Sequence, residues 1–314
     1  VIFIASLLVV QVFAADTSCK TKWPIIMVHG MGFISTPVYP NSFPGIGEAL
    51  TARGATVYFT NVDPLQSTRV KAEEFVQEFQ KIQALYPAGT KFNIIAHSHG
   101  GVYTRDAITN LGLYPYVASL TTVASPHRGG NLAQVYEDIK QYFPWLLSLM
   151  AGMTPFPGDQ QYLDVNLLNL STSYMQNTFN PNTPNMSGIY YQSWAGEFRN
   201  YNLFTMLGFF LNSLIQQLTG TYKNPTTPQE YVAAFHKSFK ATSTAQWLLG
   251  AGFNDGLVPL YSAKWGTFLG ADFGYWWTYG VDHIDCVNIN PNGVNFNVIG
   301  TYVNFVKILK SKGL

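Results

Sequence analysis

The chain has 314 residues, a formal net charge of +1, 47% hydrophobic residues and only 11% charged ones. That length suits one large α/β domain with core enough to fold alone, and the near-neutral balance argues against nucleic acid as a partner, because phosphate binding needs a concentrated excess of Lys and Arg. The apolar content excludes disorder, while 15% aromatic residues among so few charges point to a very large core or to apolar surface kept for a greasy ligand.

Residues 1–13 are nearly all apolar, and Val12-Phe13-Ala14 places small or short residues where signal peptidase needs them. The run is shorter than the ~20 residues of a membrane-spanning helix. Residues 1–15 are therefore expected to be a secretory signal, with an uncleaved anchor as the other reading. Residues 20–314 then form the catalytic domain of a secreted, extracellular protein.

From residue 22 to about 130 strand, loop and helix alternate, which predicts a parallel sheet covered on both faces. Residues 25–28 are a continuous apolar run, as in a strand buried on both sides, and 55–60 read as the next strand. Ala72, Phe75, Phe79, Ile82 and Tyr86 repeat at spacings of 3, 4, 3 and 4, a helix stopped by Pro87. A third strand over 92–96, a helix over 101–110 with Gly112 past its end, and a fourth strand over 120–124 follow. Apolar helix candidates broken by Pro, Asn and Thr predict an insertion over about 131–225. The sheet resumes near 189–194, and a last helix is expected over 298–310.

Chemistry concentrates at the junction of the third strand and its helix. In Ala96-His97-Ser98-His99-Gly100-Gly101 a serine on so sharp a turn has its hydroxyl lifted above the sheet edge, and only small residues fit two places before and after it. Ala96 and Gly100 supply them, Ala standing where Gly is usual. Serine needs a base, and the base an orienting carboxylate. Of six histidines, His97 points away from the hydroxyl as neighbours on a strand do. His29, His127 and His236 lie elsewhere, and His283 comes late, after a candidate acid, in the order serine, acid, histidine. The acid is expected at Asp255, where Gly256 permits a tight bend, with Asp272, Asp282 and Asp285 as rivals. An oxyanion hole needs two backbone N–H donors, each worth ~2.7–4 kcal/mol of barrier. His99 follows the nucleophile, and Met31 lies in the Gly-rich turn His29-Gly30-Met31-Gly32.

These stretches, with Trp23 to Met31, Val123 to Gly129, Ser193 to Gly196, Asn254 to Pro259 and Asp282 to Asp285 in the same order along the chain, resemble the secreted true lipases of Pseudomonas and Burkholderia. The resemblance implies an α/β-hydrolase fold: a mostly parallel central sheet, helices on both faces and an inserted helical lid. Ser98, Asp255 and His283 fall on that family's triad, and Met31 and His99 on its oxyanion donors. It also implies a structural calcium near the histidine, for which Asp285 matches one ligand. A second carboxylate is expected before the acid loop, where residues 165–254 contain no aspartate. The family's disulfide has no matching cysteines. A bridge between Cys19 and Cys286, the only two present, is a possible substitute, two free thiols being the alternative.

In the family the insertion is a lid. Residues 133–153 carry Tyr142, Phe143, Trp145, Leu146, Leu147, Leu149 and Met150, and residues 204–218 are similarly apolar. Soluble monomers rarely expose such patches without a use, so the expected partners are long-chain acylglycerols at a lipid–water interface, cleaved by a monomer whose chemistry needs no cofactor. The competing readings are an esterase, phospholipase or polyester depolymerase using the same triad, and a catalytically dead lipid-binding relative. The sequence carries no sign of chain-length preference or of a dedicated folding chaperone.

Overall fold

The computed structural model describes residues 15–31, 42–64, 66–130, 160–198, 252–273, 280–289 and 296–314, together with Glu230, Ala233, His236, Ser243 and Gln246. Six strands, β1 (Ile25–Val28), β2 (Val57–Phe59), β3 (Phe92–His97), β4 (Val117–Val123), β5 (Tyr190–Gly196) and β6 (Thr267–Asp272), form one sheet in the order β2-β1-β3-β4-β5-β6. Every pairing is parallel. The three strands at its heart, β1, β3 and β4, are buried throughout, because helices cover both faces and neither row of side chains meets water.

Side chains alternate between those faces with the two-residue period of a strand. Ile25, Met27 and Ile95 join Ile46 and Leu50 of helix α1 (Ile46–Thr51) and Tyr302, Phe305 and Val306 of the C-terminal helix Val298–Ser311 in one core. Ile26, Val28, Ile94 and Ala96 pack on the other face. There they meet Ala72, Phe75 and Phe79 of helix α2 (Thr68–Gln83) and Tyr103 and Ala107 of helix α3 (His99–Asn110).

Helix α2 begins a turn before its apolar stripe because Ser67 caps it, the side chain accepting from Val70 N at 3.3 Å. The edge strand β6 and the short α1 were not anticipated; β6 is mostly half-buried and lacks the continuous apolar run that marked β1.

The strand expected near 189–194 is β5, which interrupts the expected insertion over about 131–225 as a full member of the sheet. Between β4 and β5 stand the helix Gln160–Asn169 and the consecutive turns Thr172–Tyr174, Met175–Phe179 and Asn180–Asn182, the middle one π-wound. The segments expected to form the lid, 133–153 and 204–218, and residues 1–14 of the expected signal lie outside the described residues. Among the described residues no helix is long and apolar enough to cross a membrane.

Candidate active site

The nucleophile elbow follows directly from the sheet. Strand β3 ends at His97 and α3 starts at His99, which leaves Ser98 alone to turn the chain, at φ 55° and ψ −131°. A positive φ in a non-glycine residue is strained and persists only where its surroundings over-determine it. Here they do. Ser98 N–H donates to Val123 O at 2.9 Å, and the β1–loop backbone presses against the turn from the other side. A Cβ on Gly100 would come within 2.5 Å of His29 O and 2.9 Å of Val28 O, and one on Gly30 within 2.6 Å of Ser98 Cβ. The two glycines are what allow these backbones to lie so close.

His283 and Asp255 arrive from loops flanking β6. Both loops are anchored at the end of β5: Phe198 N–H donates to Asn254 O at 2.9 Å and Val281 N–H to Glu197 O at 3.1 Å. His283 N–H in turn donates to Asp255 O at 3.0 Å. The structure thus brings together three residues drawn from far along the chain. His283 Nε2 lies 2.8 Å from Ser98 Oγ, and His283 Nδ1 lies 2.8 Å from Asp255 Oδ2. Asp255 Oδ1 accepts from the N–H groups of Leu257 (3.0 Å) and Val258 (2.7 Å), so the carboxylate cannot rotate away from the ring. All three side chains are buried, Ser98 at 9% exposure being the most open. With the carboxylate on Nδ1, that nitrogen carries the proton and Nε2 is left to accept from the serine hydroxyl. The rivals Asp272, Asp282 and Asp285 do not occupy the place beside Nδ1.

The turn that carries Met31 is held by buried neutral groups. Tyr103 Oη donates to His29 O at 2.7 Å. Val62 N–H donates to His29 Nε2 at 3.1 Å, which leaves the proton on Nδ1 to bond Gly30 O at 2.7 Å. Burial pushes His29 down to about 4, so the ring stays neutral and keeps this tautomer. His99, expected as the other donor, has its ring fixed too. Its Nδ1 accepts from Lys71 Nζ at 3.1 Å and its Nε2 donates to Thr68 Oγ1 at 2.8 Å. Burial takes His99 well below the ordinary imidazole range, with the Lys71 charge adding to the effect.

Sequence reasoning missed two of these supports. Lys71 is fully buried, donates to Pro64 O at 2.5 Å, and is pushed down to about 7 by desolvation. Its signal was its place four residues before Phe75 on the apolar stripe of α2, where a lysine has no business unless it is partnered. His97 does point away from the serine, but it is not idle. Its Nε2 donates to His283 O at 3.0 Å and its ring lies 4.6 Å from the His283 ring. Burial first, and then the facing His283, hold His97 well below the usual range, so it serves as a neutral donor. His127 is tied to Thr122 Oγ1 at 2.9 Å and stacks on Trp265, remote in function from the serine.

The family model described as palmitoyl protein thioesterase matches residues 24–239, more than half of the chain. The chain belongs to the palmitoyl protein thioesterase family. It is 28% identical to a triacylglycerol lipase of Burkholderia plantarii, over 94% of its own length and 88% of that protein's. It is 23% identical to a triacylglycerol lipase of Pseudomonas fragi, over 95% and 100%. Among solved structures, a Bacillus licheniformis lipase in its mature form aligns with a TM-score of 0.57 at 18% identity, over 92% of this chain and 93% of that one. Lipase 1 of Pelosinus fermentans aligns with the same TM-score at 16% identity, over 92% and 99%. The chain is an α/β-hydrolase of the bacterial lipase type, and a hydrolase of the lipase and esterase kind.

One expectation around the histidine loop changes. Cys19 and Cys286 are both free, buried thiols, not a bridge. They sit at opposite ends of the sheet. Cys19 N–H donates to Arg53 O ahead of β1 and β2, whereas Cys286 Sγ donates to Asp282 O at 3.3 Å and lies where a Cβ on Gly196, at the far end of β5, would strike it. Asp285, which matches a calcium ligand of the resembling lipases, meets an imidazole among the described residues: His236 Nδ1 pairs with Asp282 Oδ2 and its Nε2 lies 3.9 Å from Asp285 Oδ1.

Proposed function

We propose that the chain is a secreted serine hydrolase that cleaves the carboxylic esters of long-chain acylglycerols, acting as a monomer at a lipid–water interface. The observation that carries this reading is the unbroken line of hydrogen bonds from Asp255 Oδ2 through His283 to Ser98 Oγ, 2.8 Å at each step. The triacylglycerol lipase relatives support the substrate class. So does the wealth of aromatic and apolar residues. The apolar run over 1–13 supports secretion.

In this mechanism His283 Nε2 takes the Ser98 proton as Oγ attacks the ester carbonyl. The imidazolium so formed is stabilised by the Asp255 carboxylate. The N–H groups of Met31 and His99 receive the oxyanion. Collapse breaks the bond to the glycerol oxygen, which leaves with the proton from His283, and the acyl group stays on Ser98. Water then attacks the acyl-enzyme, giving its proton to His283, and the fatty acid departs as Oγ recovers that proton. The atoms balance without a metal or cofactor.

A second reading is favoured by the thioesterase family match: the same acyl-enzyme formed from a fatty-acyl thioester. A thiolate leaves more readily than an alkoxide, so this substrate asks less of His283 as an acid. Rates on emulsified long-chain triacylglycerol and on a palmitoyl thioester separate the two. The acylglycerol reading expects turnover of the emulsion with a rise in rate as droplets appear. It expects a loss of about 10⁴-fold or more in Ser98→Ala. Unchanged activity in that variant overturns the mechanism; turnover of the thioester alone overturns the substrate.

A further inference from the structure

We infer that His236, Asp282 and Asp285 form a binding site for one divalent transition-metal ion of the zinc class, where the family resemblance implies calcium. The inference does not depend on which acyl ester the serine cleaves.

Three residues from two distant stretches meet here, and one ligand atom from each lies within 4.8 Å of the others. Asp282 and Asp285 are buried, and His236 is nearly so, its side chain 14% exposed. The backbone has already set the two carboxylates. Asp282 Oδ1 accepts from the N–H groups of Ile284 (3.0 Å) and Asp285 (2.9 Å), and Asp285 Oδ2 accepts from Asp282 N–H at 3.2 Å. Those bonds commit one oxygen of each side chain and aim the other at the imidazole. Outer hydrogen bonds of this kind orient the ligands in metal sites.

Two considerations choose the occupant. Two buried carboxylates facing one another need cationic charge, because a buried anion without compensation is costly; a doubly charged ion meets both, whereas an imidazolium meets one. The donor set then selects the ion. One imidazole nitrogen with two carboxylate oxygens suits zinc, cobalt or manganese, and the nitrogen is a poor partner for calcium, which prefers oxygen throughout. Bound there, the ion would fasten the segment carrying His283 to the helical position of His236.

The test uses the untagged full chain, stripped with a chelator and titrated with Zn²⁺ alone and with Ca²⁺ alone. One equivalent of zinc is expected, with calcium at least about 100-fold weaker. Zinc at a hundredfold excess over its dissociation constant should raise Tm by roughly 4 °C. His236→Ala should lose the zinc, and His236→Asp, which swaps nitrogen for oxygen, should move the preference towards calcium. Absence of zinc uptake by the wild type, calcium binding as tight as zinc, or undiminished zinc affinity in a folded His236→Ala protein overturns the site. Should that variant fail to fold, the wild type loaded with Co²⁺ decides: a visible absorption band saturating at one equivalent supports the site, and its absence sinks it.

Discussion

The serine and the histidine reach the same edge of the sheet by different physical means. Ser98 is held by sterics within one strand–turn–helix unit. Its strained φ of 55° is trapped between the ends of β1, β3 and β4, where glycines let backbone lie against backbone. His283 stands on the segment 280–289, whose regular structure is a single 3₁₀ turn, Asp285–Val287. That segment is held by polar contacts from everywhere else: Glu197 O, Asp255, the His97 ring, and Tyr302 Oη donating to Cys286 O at 3.0 Å. A close-packed elbow can fail only by gross displacement, whereas a loop held by hydrogen bonds can stay folded and lose function. The two regions should therefore answer substitution differently.

The sharpest test removes charge from the loop without removing shape. In Asp255→Asn the remaining carbonyl keeps the Leu257 and Val258 N–H groups, and the amide NH₂ faces His283 Nδ1. The histidine is then driven to the wrong tautomer, with its proton on Nε2 towards Ser98. The expected result is a fall of about 10⁴-fold in kcat with the urea midpoint little changed. A small effect on rate would show that the loop does not set the tautomer.

Gly100→Ala should give the opposite signature. Its Cβ meets two backbone carbonyls that cannot step aside. Stability should fall by about 1–3 kcal/mol, and displacement of Ser98 should cost about 100-fold in rate. Urea unfolding and steady-state kinetics read both. An unperturbed variant would mean that the elbow is looser than its contacts imply.

His97→Leu probes the joint between the regions, since His97 leaves the elbow and bonds the backbone of the loop. Losing that donor strands a buried carbonyl, at a cost of about 1–3 kcal/mol. With the elbow and the triad side chains intact, kcat should fall by only about tenfold. A fall as deep as that of Asp255→Asn would place His97 in the chemistry itself.

The central strands were legible because β1, β3 and β4 are buried on both faces and so read as apolar runs. Helix α2 was legible through the spacing of Ala72, Phe75, Phe79 and Ile82. The half-buried edge strand β6 gives neither pattern, and it was missed. Within the site, Ser98 declared itself through its small neighbours, a purely local requirement of the turn. His283 could be ranked only by its order along the chain, and Asp255 by that order and by the tight bend that Gly256 permits after it.

Local chemistry thus determined where the sheet begins, where the nucleophile sits and that small residues must flank it, because sterics at a tight turn act over a few residues. Tertiary structure alone decided that His97 supports His283, that Lys71 is buried against His99 and that Cys19 and Cys286 lie at opposite ends of the sheet. It alone brought His236 to Asp282 and Asp285. Hydrogen bonds and ion pairs between distant segments leave no spacing in the sequence; they exist only once the hydrophobic core has brought those segments together.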